Sequence, residues 1–134
     1  MAFGTLAFDT LSTSGQISGT AKTVDSDYLA SGSAKVWIKL DMNAQANDDS
    51  FNVASITDNA LGDFTVTITN DMNNVNYSIT GMASRLANSL DFHVVMTHET
   101  TAPAAGLYRL RCANVGGSDK DGQHVMTAVH GDLA

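Results

Sequence analysis

Histidine can serve as a metal ligand or as a general acid or base, and this chain carries four, at positions 93, 98, 124 and 130. His93 and His98 differ by an odd number of residues, so on one strand they point to opposite faces. His124 and His130 share a face, but a separation of six residues places them roughly 20 Å apart on an extended strand. Neither pair predicts a metal site within one chain. We interpret all four as polar strand residues, with a ring of symmetry-related histidines on a threefold axis as the alternative.

Nucleophilic catalysis needs an activated side chain, usually a serine or a cysteine. The chain has one cysteine, Cys112, which excludes an internal disulfide. Cys112 alternates with Tyr108 and Leu110 on an apolar strand face, and this pattern predicts a buried, unreactive thiol. The sequence contains no Gly-x-Ser-x-Gly elbow. It therefore predicts no nucleophilic site.

A glycosidase needs two carboxylates that face each other across a cleft. The neighbouring aspartates of this chain instead fall in turn-like segments, where such side chains cap backbone N–H groups. Asp119 and Asp121 also lack the longer series of oxygen ligands that a calcium loop has. We predict no catalytic residue, no cofactor and no metal site. The aspartates considered are Asp48, Asp49, Asp58, Asp63, Asp119 and Asp121.

Trp37 is unusual because it shares the nominally polar face of its strand with Lys35 and Lys39. A lone exposed tryptophan leaves a large apolar area in water. We predict that Trp37 packs against a neighbouring subunit or against the N-terminal segment, and the alternative is stacking on a sugar ring.

Arg109 and Arg111 lie two residues apart and project from one strand face. In a protein of net charge −7, we interpret them as interface residues that pair with acidic loops of a neighbouring subunit. The alternatives are contact with the surface of a larger assembly, and an anion site.

Alternating apolar and polar residues indicate the elements that position these side chains. The pattern predicts about eight short strands with turns roughly every ten residues, which is typical of an antiparallel sandwich. We therefore predict a single all-β domain at residues 31–134, a β-sandwich or jelly-roll-like fold, behind an extended N-terminal segment at 1–30. Residues 82–90 fit either a helical turn or a loop. The predicted strands cover 35–42, 51–56, 63–69, 75–81, 91–98, 106–115 and 123–131, with one more near 3–8.

Composition excludes several classes of partner. A length of 134 residues suits one domain, and 43% hydrophobic content supports a packed core. The net charge of −7, with no clustered basic face, argues against nucleic acid and anionic membranes. The sequence contains no apolar run that would span a membrane, and its first ten residues do not resemble a signal peptide. We expect a product made in the cytosol.

Three stretches resemble a domain that is frequent in phage tail-fibre and other virion proteins. They are SGSAKVWIKLDM at 31–42, DSFNVASITDNALGDFTVTITNDMNNVNYSITG at 49–81 and VMTAVHGDLA at 125–134. None of the three stretches alone is specific to this domain, but their order along the chain is. The matching positions are Gly32, Ala34, Lys35, Trp37, Ser50, Phe51, Asn52, Ser55, Ile56, Asp58, Gly62, Phe64, Asn76 and Tyr77.

The resemblance implies a non-enzymatic component of the virion, usually a homotrimer, that attaches the particle to its host. We then expect an apolar N-terminal anchor to dock on other virion proteins. The loops at 43–49, 70–75, 82–90 and 114–122 would contact a glycan or a protein on the host surface. The alternatives are a capsid-stabilising cement protein without host contact and a polysaccharide-degrading enzyme of the tailspike type. The predicted anchor residues are Phe3, Leu6, Phe8 and Leu11.

Overall fold

A computed structural model describes residues 16–18, 23–86, 90 and 92–134 of the chain. Within these residues the regular secondary structure is almost entirely strand. Its one described helix is short, and it is not long and apolar enough to cross a membrane. The elements are β1 Gln16–Ser18, β2 Thr23–Asp25, α1 Ser26–Gly32, β3 Val36–Asp41, β4 Ala46–Phe51, β5 Val53–Ala60, β6 Asp63–Ile68, β7 Ser78–Ala83, β8 His93–Thr97, β9 Leu107–Asn114 and β10 His124–His130.

Eight of the strands form two four-stranded sheets that pack face to face. Sheet I has the order β4-β3-β10-β7, and sheet II has the order β5-β6-β9-β8. All neighbouring strands are antiparallel. The predicted antiparallel sandwich of about eight strands is confirmed. Within the predicted N-terminal segment, β1 and β2 form a small hairpin and α1 follows it, whereas residues 1–15 lie outside the described residues.

The core lies between the two sheets, and the alternation of side chains along the strands produces it. In β10 the residues alternate strictly between buried and half-buried, as a strand with one covered face requires. Burial of this apolar layer is the main force that holds the two sheets together. The core side chains are Val36, Ile38, Leu40, Met42, Phe64, Val66, Ile68, Met72, Tyr108, Leu110, Cys112, Val125 and Val129.

One polar contact crosses this core. The Tyr108 hydroxyl on β9 of sheet II lies 3.1 Å from the Thr127 hydroxyl on β10 of sheet I. Desolvation raises the pKa of Tyr108 to about 12, so its hydroxyl stays protonated at all physiological pH values. Because a buried hydroxyl needs a partner, this hydrogen bond links the two sheets at one point within the core.

The crossing from sheet I to sheet II differs from the sequence prediction. A loop at 43–49 and a strand at 51–56 were expected, but β4 and β5 follow each other with only Asn52 between them. Asn52 has a φ of 59°, a left-handed conformation that asparagine tolerates better than most residues. Its amide donates to the carbonyl oxygens of Lys35 and Asn70, each at 3.1 Å, and its side-chain oxygen accepts from Asn70 N at 2.8 Å. One side chain therefore ties three segments together where the chain changes sheets.

The position of β7 also differs from the prediction, because it covers 78–83 and not 75–81. The residues before it form the second crossing between sheets. There the Tyr77 hydroxyl donates to the carbonyl oxygens of Ala104 at 2.8 Å and Leu107 at 3.1 Å. These backbone acceptors lie far along the chain, so the alternating pattern could not reveal where β7 begins.

Candidate interaction surfaces and binding pocket

The outer face of sheet I carries apolar side chains across all four strands. The strand register places Trp37 opposite Phe51 on β4 and opposite Ala128 on β10. Met126 precedes Ala128 by two residues on the same face of β10, and it lies opposite Met82 on β7. Phe51 is 53% exposed and Met82 is 65% exposed, while the other three are half-buried. We call these five residues the apolar stripe.

Charged groups border the apolar stripe at one end. Lys39 Nζ lies 2.8 Å from Asp48 Oδ2, and His124 Nε2 lies 3.4 Å from the same carboxylate oxygen. Asp41, whose Oδ2 is 3.9 Å from His124 Nε2, accepts a backbone N–H from Ala44, and this hydrogen bond lowers its pKa. Such a polar border around an apolar centre is the usual anatomy of a protein interface.

A second apolar surface lies on the outer side of β8 in sheet II. Phe92, Val94 and Met96 alternate along this edge of the sheet, and Phe92 is 69% exposed. Val115, which is 75% exposed, donates its backbone N–H to the Phe92 carbonyl oxygen at 3.2 Å. We call these four residues the β8 patch.

The rest of the outer face of sheet II holds an ion pair that is partly shielded from water. Arg109 Nε donates to Asp63 Oδ1 at 2.7 Å, and Arg109 Nη2 donates to the other carboxylate oxygen. The Asn59 amide and His98 Nε2 approach the same carboxylate at 3.3 and 3.8 Å. The bond from Arg109 holds the pKa of Asp63 below its ordinary value, although burial opposes this shift. Asp63 is therefore ionised at neutral pH and cannot act as a general acid.

Arg111 is also paired within the chain. Its guanidinium donates to Asp119 and to the Gly117 carbonyl oxygen, the latter at 3.0 Å, and Glu99 lies 3.8 Å away. Both arginines were predicted to meet acidic groups of a neighbouring subunit. The structure gives each of them an acidic partner in its own chain, and a role at an interface stays a prediction.

A pocket of about 130 Å³ opens at one end of the sandwich, between the β3–β4 turn of sheet I and strand β5 of sheet II. Its floor is apolar, formed by the buried side chains of Leu40, Met42 and Phe64. Ile56 forms a wall. The rim is polar, and it is made by Gln45, Asn47, Asp58 and Asp121.

Hydrogen bonds to the chain hold both rim carboxylates in place. Gln45, which has a left-handed φ of 53°, donates its amide to Asp58 Oδ2. Asp121 Oδ1 accepts the backbone N–H of Gly62 at 2.8 Å. Gly62 has a φ of 68°, and a Cβ at this position would lie 2.3 Å from the Cys112 carbonyl oxygen, so only glycine fits this turn. The turn at Gly62 therefore holds the Asp121 carboxylate in place at the rim of the pocket.

Sequence reasoning missed this pocket. It placed Asp58 and Asp121 in separate turns and gave each a capping role. Asp121 does fulfil this role at Gly62, but the prediction for Asp58 was wrong, because Asp58 lies within β5 and accepts the Gln45 side-chain amide. The usable signal was that Asp58 lies in a strand and Asp121 just before one, and that the apolar faces of both strands meet in the core. Which turns share one end of the sandwich depends on the sheet order, and the sequence did not reveal that order.

The histidines and Cys112, which the sequence analysis considered for metal binding and catalysis, do not form a common site in the structure. His93, His98, His124 and His130 lie in different surroundings, and among the described residues no group of three or more His, Cys, Asp or Glu side chains has an arrangement that could hold a metal ion. Cys112 is buried in the core, and desolvation raises the pKa of its thiol to about 11. The residues Phe3, Leu6, Phe8 and Leu11 lie outside the described part of the chain.

Comparisons with protein-family models, with curated proteins and with solved structures found no match for this chain. The likeness to virion proteins therefore stays a prediction from the sequence motifs.

Proposed function

We propose that this chain is a non-enzymatic structural protein of a phage virion, a trimeric fibre-tip or capsid-attached module that contacts the host surface. The observation that carries the proposal is the apolar stripe on sheet I. The stripe crosses four strands and leaves Phe51 and Met82 more than half exposed. A continuous exposed apolar surface is typical of a protein interface. The sequence resemblance supplies the virion context.

Two different apolar surfaces on one subunit allow head-to-tail contact between identical copies. In a cyclic trimer, each contact joins two different surfaces of neighbouring subunits, whereas a twofold dimer joins one surface to itself. The apolar stripe and the β8 patch lie on the outer faces of different sheets and supply two such surfaces. β8 is also an edge strand, and a neighbouring copy would prevent its uncontrolled pairing with other chains.

The charged groups support a structural role. Asp63 is tied to Arg109, and Asp119 to Arg111, so these carboxylates serve to fix side chains on the sheet surface. A general acid needs a raised pKa, whereas the pKa of Asp63 is lowered. A rigid scaffold whose carboxylates are paired with arginines suits adhesion better than hydrolysis.

A capsid-stabilising cement protein is the second candidate. Apolar surfaces on both outer faces also suit a module held between two capsid neighbours. Particles that lack this protein distinguish the two functions. Loss of adsorption to host cells supports attachment, whereas normal adsorption with swelling or bursting supports the cement function.

Sedimentation velocity of the full chain tests the assembly itself. We expect a trimer from low to high micromolar concentration, and a labelled trimer that binds host cells. A chain that stays monomeric across this range contradicts the proposal, because both apolar surfaces would then be stable in water.

A further inference from the structure

The size of the pocket at the end of the sandwich limits what it can hold. Its volume of about 130 Å³ is close to that of an engineered protein cavity of about 150 Å³ that binds benzene. Pockets for drug-sized ligands are larger, at about 300–1,000 Å³. The pocket therefore encloses no more than one six-membered ring, whose substituents would project through the open mouth, and it excludes a nucleotide or a whole oligosaccharide.

The rim of the pocket presents mainly hydrogen-bond acceptors. Asp58 and Asp121 each use one carboxylate oxygen within the chain, and among the described residues their other oxygens have no partner. The amide nitrogens of Gln45 and Asn47 each use one N–H, on Asp58 and Ser50, so each amide keeps a second N–H and its oxygen, and the acceptors of the rim still outnumber its donors. A ligand that suits this rim must bring donors.

The charge of the rim restricts the ligand further. Two carboxylates at the mouth repel carboxylate, phosphate and sulfate groups, and they favour hydroxyl and ammonium groups. The floor of Leu40, Met42 and Phe64 suits the C–H face of a saturated ring. A pyranose combines such a face with several hydroxyl donors.

From this geometry we infer that the pocket binds a single hexopyranose unit, an amino sugar more tightly than a neutral one, and that it rejects acidic sugars. This inference rests on the proposed attachment function, for which it names the receptor class. The terminal sugar of a host-surface glycan would enter ring-first, with its amino and hydroxyl groups on Asp58 and Asp121.

Amide NMR of the full-length protein tests the inference directly. The probes are the methyl glycosides of glucosamine, glucose and glucuronic acid. We expect saturable shifts at the amides of Gln45, Asn47 and Gly62, with millimolar affinity for a ligand of this size. Methyl glucosaminide should bind about tenfold more tightly than methyl glucoside, because its ammonium group makes charge-assisted hydrogen bonds. Methyl glucuronide should cause no shift at these amides.

Two isosteric variants remove the charge, and a matched variant serves as control. Asp58→Asn and Asp121→Asn should each weaken methyl glucosaminide binding at least tenfold, the range expected for a hydrogen bond to a charged group. Asp132→Asn removes the same charge from the C-terminal end of β10 and should leave the affinity unchanged. Asn47→Trp provides a test that does not touch Asp121, because a large ring on the exposed side of β4 blocks the mouth and should abolish binding.

Four outcomes would overturn the inference. The first is that no sugar shifts the three pocket amides, and the second is that all three glycosides shift them equally. The third is that calcium chloride alone shifts them and EDTA reverses the effect, which would make the pocket a cation site. Release of methanol from a glycoside would likewise contradict a binding role.

The test separates this inference from the proposed function. If the protein is a trimer that binds host cells but no glycoside shifts the pocket amides, only the pocket inference fails. If the protein is a monomer that binds methyl glucosaminide, the trimer proposal fails and the sugar site stands.

Discussion

Met82→Lys should dissociate the proposed trimer while leaving the subunit folded. Met82 lies on the outer face of β7, opposite Met126, and 65% of it is exposed. A lysine at this position keeps a flexible unbranched stem and places its charge in water, so the fold should tolerate it. In an assembled ring, the same charge would lie within the apolar stripe.

The size of the effect follows from the exposed area. Full burial of a methionine side chain contributes about 1.5–3 kcal/mol, so burying the exposed two-thirds of Met82 contributes about 1–2 kcal/mol. A cyclic trimer contains three identical interfaces, and the loss therefore amounts to about 3–6 kcal/mol for the assembly. At 1.4 kcal/mol per factor of ten, this weakens the association constant roughly 100- to 10,000-fold. Desolvation of the lysine adds to this loss.

Sedimentation velocity over a dilution series measures the association constant, and thermal unfolding monitored by circular dichroism checks that the subunit is folded. Leu61→Lys is the matched control, because Leu61 is 59% exposed in the β5–β6 turn of the other sheet. If Met82→Lys stays trimeric at the concentrations where the unmodified protein does, the apolar stripe is not the interface. If Leu61→Lys dissociates equally, the effect comes from charge and not from the stripe.

Three further predictions concern contacts that hold the sandwich together. Thr127→Val leaves the buried Tyr108 hydroxyl without its partner and should lower the free energy of unfolding by about 1–3 kcal/mol in urea denaturation. Asn52→Ala puts a residue that disfavours left-handed backbone at a φ of 59° and removes four side-chain hydrogen bonds, so it should destabilise the protein by at least about 2 kcal/mol in the same assay. The pKa of Asp63 is lowered in the folded state from 3.8, so its pairing with Arg109 stabilises the fold above that pH and the contribution is lost as the pH falls below it. Asp63→Asn should therefore show a shallower loss of stability in acid than the unmodified protein.

Each of these predictions has an internal control. The double variant Tyr108→Phe, Thr127→Val should recover part of the stability that Thr127→Val loses, because no hydroxyl is then left unpaired. Asn52→Gly should lose less than Asn52→Ala, since glycine accepts the left-handed backbone. Asp49→Asn, on exposed β4, should keep the acid sensitivity of the unmodified protein. Identical losses for Asn52→Ala and Asn52→Gly would show that backbone strain is not the cause.

The local alternation of residues was enough to predict the strands that pass through the core. In β6, β9 and β10 one face is covered by the opposite sheet, so apolar residues must recur at every second position. The same argument predicted that Cys112 is buried, and the structure confirms it. The class of fold followed from the number of such strands and the spacing of the turns.

Strands at the edges of the sheets were harder to place. β4 is polar along nearly its whole length, since it is an edge strand whose side chains are largely exposed, and its sequence ANDDSF is typical of a loop. The break at Asn52 was also hidden, because a left-handed residue between two strands leaves no periodic signal.

The functional surfaces depended on the tertiary structure. Asp63 and Arg109 are 46 residues apart, and Gly62 and Asp121 are 59 residues apart. Trp37 was recognisable as unusual from the sequence, but its neighbours Phe51 and Ala128 were set by strand register. An alternating pattern specifies which side chains of a strand share a face. It does not specify which strands become neighbours, because any apolar face can pack on any other. The strand order is determined by the packing of all the strands together.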